Sequence, residues 1–283
     1  MALSLSIIIP AYNEATRIGK SLHTILDYLE EQPGASELIV ADDGSRDETR
    51  RVSEEIFASR ASGRVEARVI GEGMNRGKGY VVRAGLLAAR GAVALFSDAD
   101  LSTPITETPK LVEPIRAGQY DLVFGSRALD RSLIGVRQPW RREQSGKVFN
   151  LVMRAATGLP FWDTQCGFKA FRMDVCRPVI EGALIDRFGF DVELLHVAHR
   201  AGLRLFERPV QWNDVEGSKV SFRTGLQGFG ELREVRRNWK RGLYDEAIRK
   251  TREAAARARA ERPTLHEGDF ESDVSPELAG MRL

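Results

Sequence analysis

The sequence has few cysteines, no long apolar run and little net charge, and each shortage argues against a class of protein. Its two cysteines, Cys166 and Cys176, do not make a disulfide framework, which favours a reducing environment. No stretch of roughly 18 consecutive apolar residues occurs, so a transmembrane helix is not expected. The formal net charge of +2 gives no overall signal for binding nucleic acid.

Targeting signals and two common nucleotide-binding patterns are missing as well. The N-terminal residues lack a basic segment followed by an apolar stretch and a cleavage site, so we expect no signal peptide and a cytoplasmic protein. The P-loop pattern G-x-x-x-x-G-K-[ST] is absent, and no G-x-G-x-x-G follows the first predicted strand. The second absence argues against a dinucleotide-dependent oxidoreductase.

The first 125 residues contain a regular alternation of apolar runs and amphipathic segments. Apolar runs of this length predict buried strands, and apolar residues at helical spacing predict the helices between them. Short connections between strands and helices predict an α/β fold with a mostly parallel central sheet and helices on both faces. The predicted strands are Leu5–Pro10, Leu38–Ala41, Val65–Ile70, Val93–Phe96 and Asp121–Gly125; the predicted helices are Glu14–Glu30, Tyr80–Arg90, Ile105–Ala117 and one that starts at a capping box of Ser45 and Glu48.

After residue 125 the pattern is looser. It predicts helices over 148–156, 191–201 and 251–262, strands over 166–172 and 203–210, and an apolar helical stripe with basic neighbours over 220–244. We expect one folded domain over 1–218 with halves 1–125 and 126–218, a basic amphipathic region over 219–245, and a charged, solvated helix with a disordered tail over 246–283.

Two carboxylates follow the apolar run Val93–Phe96 where its strand is predicted to end. Ligands bind beyond the carboxyl ends of strands in open α/β sheets, so Asp98 and Asp100 lie where a ligand is expected. Unpaired carboxylates held close together repel each other, and a hard divalent cation would relieve that repulsion. The alternative is a polar junction between strand and loop, because aspartate is common in turns.

Polar residues also follow the first two predicted strands. Tyr12 offers an aromatic face for stacking a base and Glu14 an acceptor for ribose hydroxyls, although the two residues could equally begin an exposed helix. A carboxylate of the Asp42-Asp43 pair could accept a hydrogen bond from a nucleobase. A helix cap explains Asp42 or Ser45 equally well.

A glycine-rich turn, Asn75-Arg76-Gly77-Lys78-Gly79, opens a predicted helix. Glycines let backbone N–H groups approach an anion closely, and Arg76 and Lys78 add positive charge. Together with the acids and the aromatic residue at the neighbouring strand ends, this turn supplies what is needed to hold a base, a ribose, a diphosphate and a metal ion.

These motifs resemble, in order and spacing over roughly residues 4–245, those of the family 2 inverting glycosyltransferases, which have the GT-A fold. The resembling segments are Ile9-Pro10-Ala11-Tyr12-Asn13-Glu14, Asp42-Asp43-Gly44-Ser45, the glycine-rich turn and Asp98-Ala99-Asp100. Later segments are similar to those of the dolichyl-phosphate (polyprenyl-phosphate) glucosyltransferases, namely Gly125-Ser126-Arg127, Asp163-Thr164-Gln165-Cys166-Gly167-Phe168-Lys169-Ala170-Phe171, Phe190-Asp191-Val192-Glu193-Leu194, and Trp212 with Gly217-Ser218-Lys219. The sister mannosyltransferases share the first half and much of the second.

The resemblance implies a nucleotide-binding half over 1–125 and an acceptor half over 126–218. It implies that Asp43 binds the base beside Ala41 and that Asp100 is the ligand of Mg²⁺ or Mn²⁺. Some relatives have a glutamine that assists the metal where this chain has Ser102, so the part of Ser102 is in doubt. The implied nucleotide-sugar contacts are Pro10, Tyr12, Glu14, Ala41, Asp43, Lys78, Asp98, Ala99, Asp100, Ser102, Arg127 and Lys219.

Arg127 and Lys219 match basic residues that contact phosphates of the donor or of the acceptor, although Lys219 could equally be a solvated loop lysine. A lipid monophosphate is largely dianionic near pH 7, because its second pKa is about 6, so it needs alignment more than a base. The expected catalytic residues are Asp98 and Asp100, with Asp163, Asp191 and Glu193 as candidates to orient the acceptor or to serve as a base.

The expected reaction moves glucose from UDP-glucose to a polyprenyl phosphate with inversion. The alternatives are transfer of mannose from GDP-mannose, transfer to a saccharide acceptor, and a non-catalytic membrane adaptor that binds a sugar nucleotide. The basic stretch Val220–Tyr244 could lie on an anionic membrane, with Arg137, Arg141, Arg142 and Lys147 nearer the site. The equal alternative is a helix packed on the domain. We expect peripheral contact with the cytoplasmic face of a membrane, no nucleic-acid partner and possible homo-oligomers.

Overall fold

A mixed sheet forms the centre of the protein in a computed structural model that describes residues 3–60, 63–136, 152–215 and 222–261. Its seven strands are β1 Leu5–Ala11, β2 Ser36–Asp42, β3 Val65–Ile70, β4 Val93–Ser97, β5 Leu122–Ser126, β6 Phe168–Arg172 and β7 Leu205–Pro209. Their order in the sheet is β3-β2-β1-β4-β6-β5-β7. β6 runs antiparallel to β4 and β5, and all other pairs are parallel, which confirms the mostly parallel sheet expected from the sequence.

Helices cover both faces of the sheet, as predicted. They are α1 Ile18–Glu31, α2 Thr49–Ser59, α3 Lys78–Ala88, α4 Thr108–Arg116, α5 over 152–157, α6 Met173–Glu181, α7 Phe190–Arg200, α8 Phe222–Lys240 and α9 Asp245–Ala260, with short 3₁₀ turns at Ile105–Glu107 and Arg131–Leu133. Alternate residues of β1 enter two separate cores. Ile8 packs with side chains of α3, α6 and α7, whereas Ile7 and Ile9 pack with those of α1 and α4.

The capping box predicted at Ser45 and Glu48 is wrong. The Ser45 hydroxyl accepts the backbone N–H of Asn13 at 2.9 Å, so it ties the ends of β1 and β2 together. The first residue of α2 is Thr49, whose N–H donates to the Asp47 carboxylate at 3.0 Å. Asp47, two residues before the helix, therefore accepts a backbone N–H at the start of α2, the role that the sequence pattern assigned to Ser45.

The two C-terminal helices pack on the domain. Leu232 and Val235 of α8 are 2% and 1% exposed, so this part of the apolar stripe that the membrane hypothesis needed is buried against the protein, whereas Leu243 at its end is 51% exposed. The basic residues of this part of α8 and of the turn after it stay exposed, namely Arg233, Arg236, Arg237, Lys240 and Arg241. The predicted solvated helix is also wrong, because α9 packs on α6 and α7 and buries Thr251 and Ala254.

Several predictions fall on residues outside the described ranges. They concern Lys219, the basic residues 137–147, and the tail from Pro263 to the C-terminus. Among the helices that are described, none combines the length and the apolar character that a membrane span requires.

Candidate active site

Asp98 and Asp100 lie in a tight turn directly after β4, between the ends of β1 and β6. Leu101 has a left-handed φ of 50°, and its N–H donates to the carbonyl oxygen of Asp98 at 3.1 Å. The N–H of Asp98 in turn donates to the carbonyl oxygen of Gly167 at 3.0 Å. A Cβ atom on Gly167 would clash with the Asp98 carboxylate, so this glycine of the acceptor half makes room for an acid of the nucleotide half.

The glycine-rich turn places Lys78 against Asp98. The Lys78 Nζ lies 2.6 Å from Asp98 Oδ1, and the lysine side chain is 29% exposed. Lys78 begins α3, after Gly77, whose φ of 119° is available only to glycine. Burial disfavours the charged form of Lys78, but the nearby carboxylates of Asp98 and Asp191 outweigh it and raise its pKa. Lys78 is therefore a positively charged, partly exposed side chain at the position where an anionic ligand was expected.

Asp43 holds the same turn together. Its carboxylate accepts the N–H groups of Arg76 at 2.7 Å and Gly77 at 3.0 Å and the side-chain amide of Asn75 at 2.9 Å. Burial raises the pKa of Asp43, although the backbone donors partly oppose that shift. The contact between Asp43 and a base stays a prediction; what the structure adds is that this acid shapes the loop that carries Lys78.

Asp100 differs from Asp98, Asp163 and Asp191, each of which forms an ion pair with a lysine or an arginine. Its carboxylate accepts the backbone N–H of Ser102 at 3.0 Å, and within the described ranges no lysine, arginine or histidine forms an ion pair with it. A partly exposed hard oxygen donor that is not neutralised suits Mg²⁺ or Mn²⁺. The described residues contain no group of three acidic, histidine or cysteine ligands.

Arg127 and Asp163 form a closed pair at the end of β5. The Asp163 carboxylate accepts the Arg127 Nε at 2.6 Å, the Arg127 Nη2 at 2.8 Å and the Arg127 backbone N–H at 2.9 Å. Burial opposes ionisation of Asp163, but the guanidinium outweighs it, so the pKa of Asp163 is lowered and that of Arg127 is raised. An acid that holds its charge so firmly orients the arginine and is a poor proton acceptor.

Asp191 lies in the first turn of α7 and meets a residue that the sequence analysis missed. Lys169 of β6 is fully buried, and its Nζ lies 2.6 Å from Asp191 Oδ1. Burial raises the pKa of Asp191, while the charges of Lys169 and Lys78 act in the opposite direction. A lysine inside an otherwise apolar strand was the available signal for this pair, because a buried ammonium requires a partner.

Glu193, also a candidate from the sequence, serves the scaffold instead. Its carboxylate accepts the N–H groups of Leu184 and Ile185, each at 2.9 Å, and the hydroxyl of Tyr244 at 2.7 Å. All three donors lie in the loop before α7 and in the turn between α8 and α9. The expectation that Glu193 orients the acceptor is therefore corrected.

The residues near β1 and β2 that are predicted to contact the nucleotide differ in how exposed they are. Tyr12 is half-buried at the end of β1, and Glu14 is nearly buried and forms a two-point ion pair with Arg17. Other predicted contacts have little or no surface to offer a ligand: Ala41 is fully buried, and Pro10 and Ala99 are buried beside it or at the strand end. The sequence analysis missed Arg17. Its hydrogen bond to Glu14 raises the pKa of Arg17, and the charges of Asp100 and Asp98 add to that rise.

A known protein family and several relatives match most of this chain. The family model of glycosyl transferase family 2 matches residues 6–179. The dolichyl-phosphate beta-glucosyltransferase of Drosophila melanogaster is 36% identical over 232 residues, which cover 78% of this chain and 70% of the relative. The human protein of the same name is 33% identical over 253 residues, 85% of this chain and 77% of the relative.

Solved structures agree on the fold. The glucosyl-3-phosphoglycerate synthase of Mycobacterium tuberculosis, crystallised with Mn²⁺, UDP-glucose and phosphoglyceric acid, superposes with a TM-score of 0.59 at 20% identity. The superposition covers 83% of this chain and 80% of the other. This likeness, with the sheet order above, confirms the GT-A fold expected from the motifs. The family match and the two relatives establish that this chain belongs to the family 2 glycosyltransferases.

Proposed function

We propose that this glycosyltransferase moves glucose from UDP-glucose to a polyprenyl phosphate such as dolichyl phosphate, with inversion at the sugar. The observation that carries the proposal is the single cluster formed by the ends of β4, β5, α3 and α7. It joins the Lys78–Asp98 pair of the nucleotide half to the Arg127–Asp163 and Lys169–Asp191 pairs of the acceptor half. The names of the relatives support glucose and dolichyl phosphate, and the UDP-glucose complex of the structural neighbour supports the donor.

On the donor side, the chain supplies a cation and a free carboxylate. In this proposal Lys78 contacts the diphosphate, and Tyr12 and Glu14 meet the base and the ribose at the end of β1. Asp100 would hold Mg²⁺ or Mn²⁺, since it has no cationic partner among the described residues. The metal, when bound, stabilises the negative charge that develops on the departing nucleotide.

On the acceptor side, the reaction needs an oriented phosphate oxygen. That oxygen forms a bond to the anomeric carbon from the face opposite the nucleotide, while the bond from this carbon to the diphosphate oxygen breaks and UDP leaves with the electron pair. Arg127, held by Asp163 and stacked 5.7 Å from the Trp212 ring, is placed to bind the acceptor phosphate, and Lys219 is a second candidate. No proton has to be removed from a dianionic phosphate, which suits an acid as strongly paired as Asp163.

Membrane contact follows from the acceptor and not from an apolar helix face. The exposed basic residues 233–241 of α8 and the turn after it would meet anionic lipid headgroups, and peripheral attachment to the cytoplasmic face is part of this proposal. Liposome flotation tests it: retention on anionic vesicles should fall as salt rises and be lost when Arg233, Arg236 and Arg237 are changed to glutamine. Binding that is unaffected by salt would contradict this mode of attachment.

The central test is a transfer assay with radiolabelled UDP-glucose, GDP-mannose and other sugar nucleotides, polyprenyl phosphate, and either Mg²⁺ or Mn²⁺. We expect labelled lipid product from UDP-glucose that is acid-labile and β-linked. Product from GDP-mannose alone would replace the donor and the sugar in the proposal. No lipid product from any donor, with transfer to a saccharide instead, would overturn the acceptor.

A further inference from the structure

Lys169 is a fully buried lysine with no role in the expectations drawn from the sequence. It lies in β6, the strand between β4 and β5, with no exposed surface. Its Nζ donates to Asp191 Oδ1 and to the carbonyl oxygen of Cys166, both at 2.6 Å, and lies 5.3 Å from the Phe96 ring centroid. Burying an ammonium group is costly, and an apolar side chain would usually serve the core as well or better. Because Lys169 lies near the edge of the sheet where ligands are expected to bind, its buried charge points to a functional reason.

The partner of Lys169 connects it to the donor side. Asp191 is 4% exposed and is faced by Lys169 from β6, by Lys78 from α3 and by Asp98 from the end of β4. Lys78 in turn is paired with Asp98 and influenced by Asp191. Charges therefore alternate in sign from the buried lysine of the acceptor half to the exposed lysine of the nucleotide half.

We propose that Lys169 is a positioning residue for sugar transfer: it holds the Asp191 carboxylate, whose charge, beside the Lys78–Asp98 ion pair, helps to keep the Lys78 ammonium at the donor's diphosphate. This rests on the proposed function, because the diphosphate belongs to the sugar-nucleotide donor. Lys169 touches neither substrate. It acts through Asp191, whose direction it fixes with one hydrogen bond and whose charge it balances.

Electrostatics gives this arrangement a signature that simple packing lacks. Burial raises the pKa of Asp191, and the charges of Lys169 and Lys78 hold that rise in check. Replacing Lys169 with an uncharged residue removes one of the two opposing charges, so Asp191 would take up a proton at a higher pH. Asp98, the remaining neighbour, is an acid and adds to that rise.

The experiment compares Lys169→Met and Lys169→Arg with the wild-type chain across pH 5.5 to 9. We expect the acid limb of the transfer rate in Lys169→Met to move up by about one pH unit, with a loss of up to about tenfold at the acid end of the range that shrinks as the pH rises. Lys169→Arg keeps the charge and should restore the wild-type limb and at least a third of the rate. If Lys169→Met does not fold, Lys169→Gln replaces it in the same comparison.

Arg172→Met is the matched control, since Arg172 lies at the other end of β6 and pairs with Asp121 away from the site. It should lower the unfolding midpoint and leave the pH profile unchanged. Combining Lys169→Met with Asp191→Asn should cost less than threefold beyond Asp191→Asn alone, because the lysine then has no carboxylate to hold. An equal loss at every pH, or a full loss on the Asp191→Asn background, would overturn the inference. Failure of the proposed function looks different, since the wild-type chain itself would then give no lipid product.

Discussion

Asp100 in the nucleotide half differs from Asp163 and Asp191 in the acceptor half in exposure and in ion pairing. In the nucleotide half, Asp100 is partly exposed and meets only a backbone N–H group among the described contacts, so its charge is available to a ligand. In the acceptor half, Asp163 and Asp191 are 2% and 4% exposed, and each is bound to a cation. The nucleotide half therefore presents the Asp100 charge, which suits a metal ion, while in the acceptor half Asp163 holds the partly exposed Arg127 and Asp191 pairs with the fully buried Lys169. This asymmetry fits an acceptor that arrives as an anion and needs no base.

Asp100→Asn should have the largest effect, because it removes the partly exposed carboxylate that we expect to hold the metal ion. We expect turnover to fall about 1,000-fold, equivalent to ~4 kcal/mol of transition-state stabilisation, and the dependence on Mg²⁺ or Mn²⁺ to be lost or weakened. Transfer rates over a metal titration, together with metal-dependent binding of UDP, measure both effects.

Glu48→Gln is the matched control, since Glu48 is an exposed acid that pairs only with Arg51 on the surface of α2. It should leave turnover and metal dependence unchanged. Unaltered metal-dependent binding of UDP in Asp100→Asn would remove Asp100 from the metal site and erase the contrast between the two halves.

Asp163→Asn should have the next largest effect and tests the acceptor half. The amide keeps the shape but leaves the Arg127 guanidinium without a charged partner, so we expect about a 100-fold loss in kcat/KM for the lipid phosphate and less than a threefold change in UDP affinity. Initial rates at varied acceptor concentration and calorimetric titration with UDP separate the two.

A base mechanism makes a different prediction for the same variant. If Asp163 removed a proton, the loss would be in kcat and a saccharide acceptor would be used. The rate of the wild-type chain would also fall as the pH drops through the pKa of Asp163, which is lowered below the usual range for an aspartate. A loss confined to the acceptor KM supports orientation, and a loss confined to kcat with saccharide transfer would reverse the assignment.

The contrast between the halves also explains what the sequence could predict. Asp98, Asp100 and Lys78 follow or precede their own strand or helix within a few residues, so local patterns located them and the sheet brought them together. The pairing of Lys169 with Asp191 joins residues 22 positions apart, on a strand and a helix whose contact depends on the whole core. No local pattern contains that contact.

The same reasoning covers the two C-terminal helices. The apolar stripe of α8 could face a membrane or the protein, because amphipathicity specifies that a face is buried and not what buries it. Leu232 is buried in the core that includes residues of α6 and α7, and that core exists only in the folded domain. The alanine-rich α9 looked solvated for a related reason: small side chains allow close packing on α6, but they give a weak apolar signal.

Gly167→Ala should have an intermediate effect, because it breaks the fit between the halves without removing a charge. The added Cβ would meet the Asp98 carboxylate, so that carboxylate must turn away from Lys78 or the loop must move. We expect a loss of about tenfold to 100-fold in kcat/KM for UDP-glucose, with a smaller change in the acceptor KM.

Gly158→Ala is the control for Gly167→Ala, since nothing lies within 4 Å of its would-be Cβ; its φ of 70° makes the substitution a strain on the backbone alone. It should reduce stability and leave the kinetic constants close to wild type. Equal kinetic losses in the two variants would mean that Gly167 matters for folding and not for the position of Asp98.

Tyr244→Phe should have the smallest effect on activity, and it tests the scaffold that carries α7. The hydroxyl donates to Glu193 at 2.7 Å, and both residues are fully buried. Losing this donor should lower the free energy of unfolding by about 1–3 kcal/mol, measured by urea denaturation, with kcat within twofold of wild type. Leu243→Ala, a change at the exposed neighbouring residue, is the control and should change stability by less than about 0.5 kcal/mol.

The pH dependence of the stability loss in Tyr244→Phe tests whether Glu193 is charged in the folded protein. Burial raises the pKa of Glu193, while the Tyr244 hydroxyl and two backbone N–H groups favour its charged form and limit the rise. A group whose folded pKa is raised adds stability at low pH and loses that contribution as pH rises through the folded pKa. Without the hydroxyl the pKa rises further, so the stability difference between Tyr244→Phe and wild type should be larger at pH 8 than at pH 5. A difference that grows towards low pH would mean that Glu193 is bound as the neutral acid, and the hydrogen bond would then run from the carboxyl group to the tyrosine oxygen.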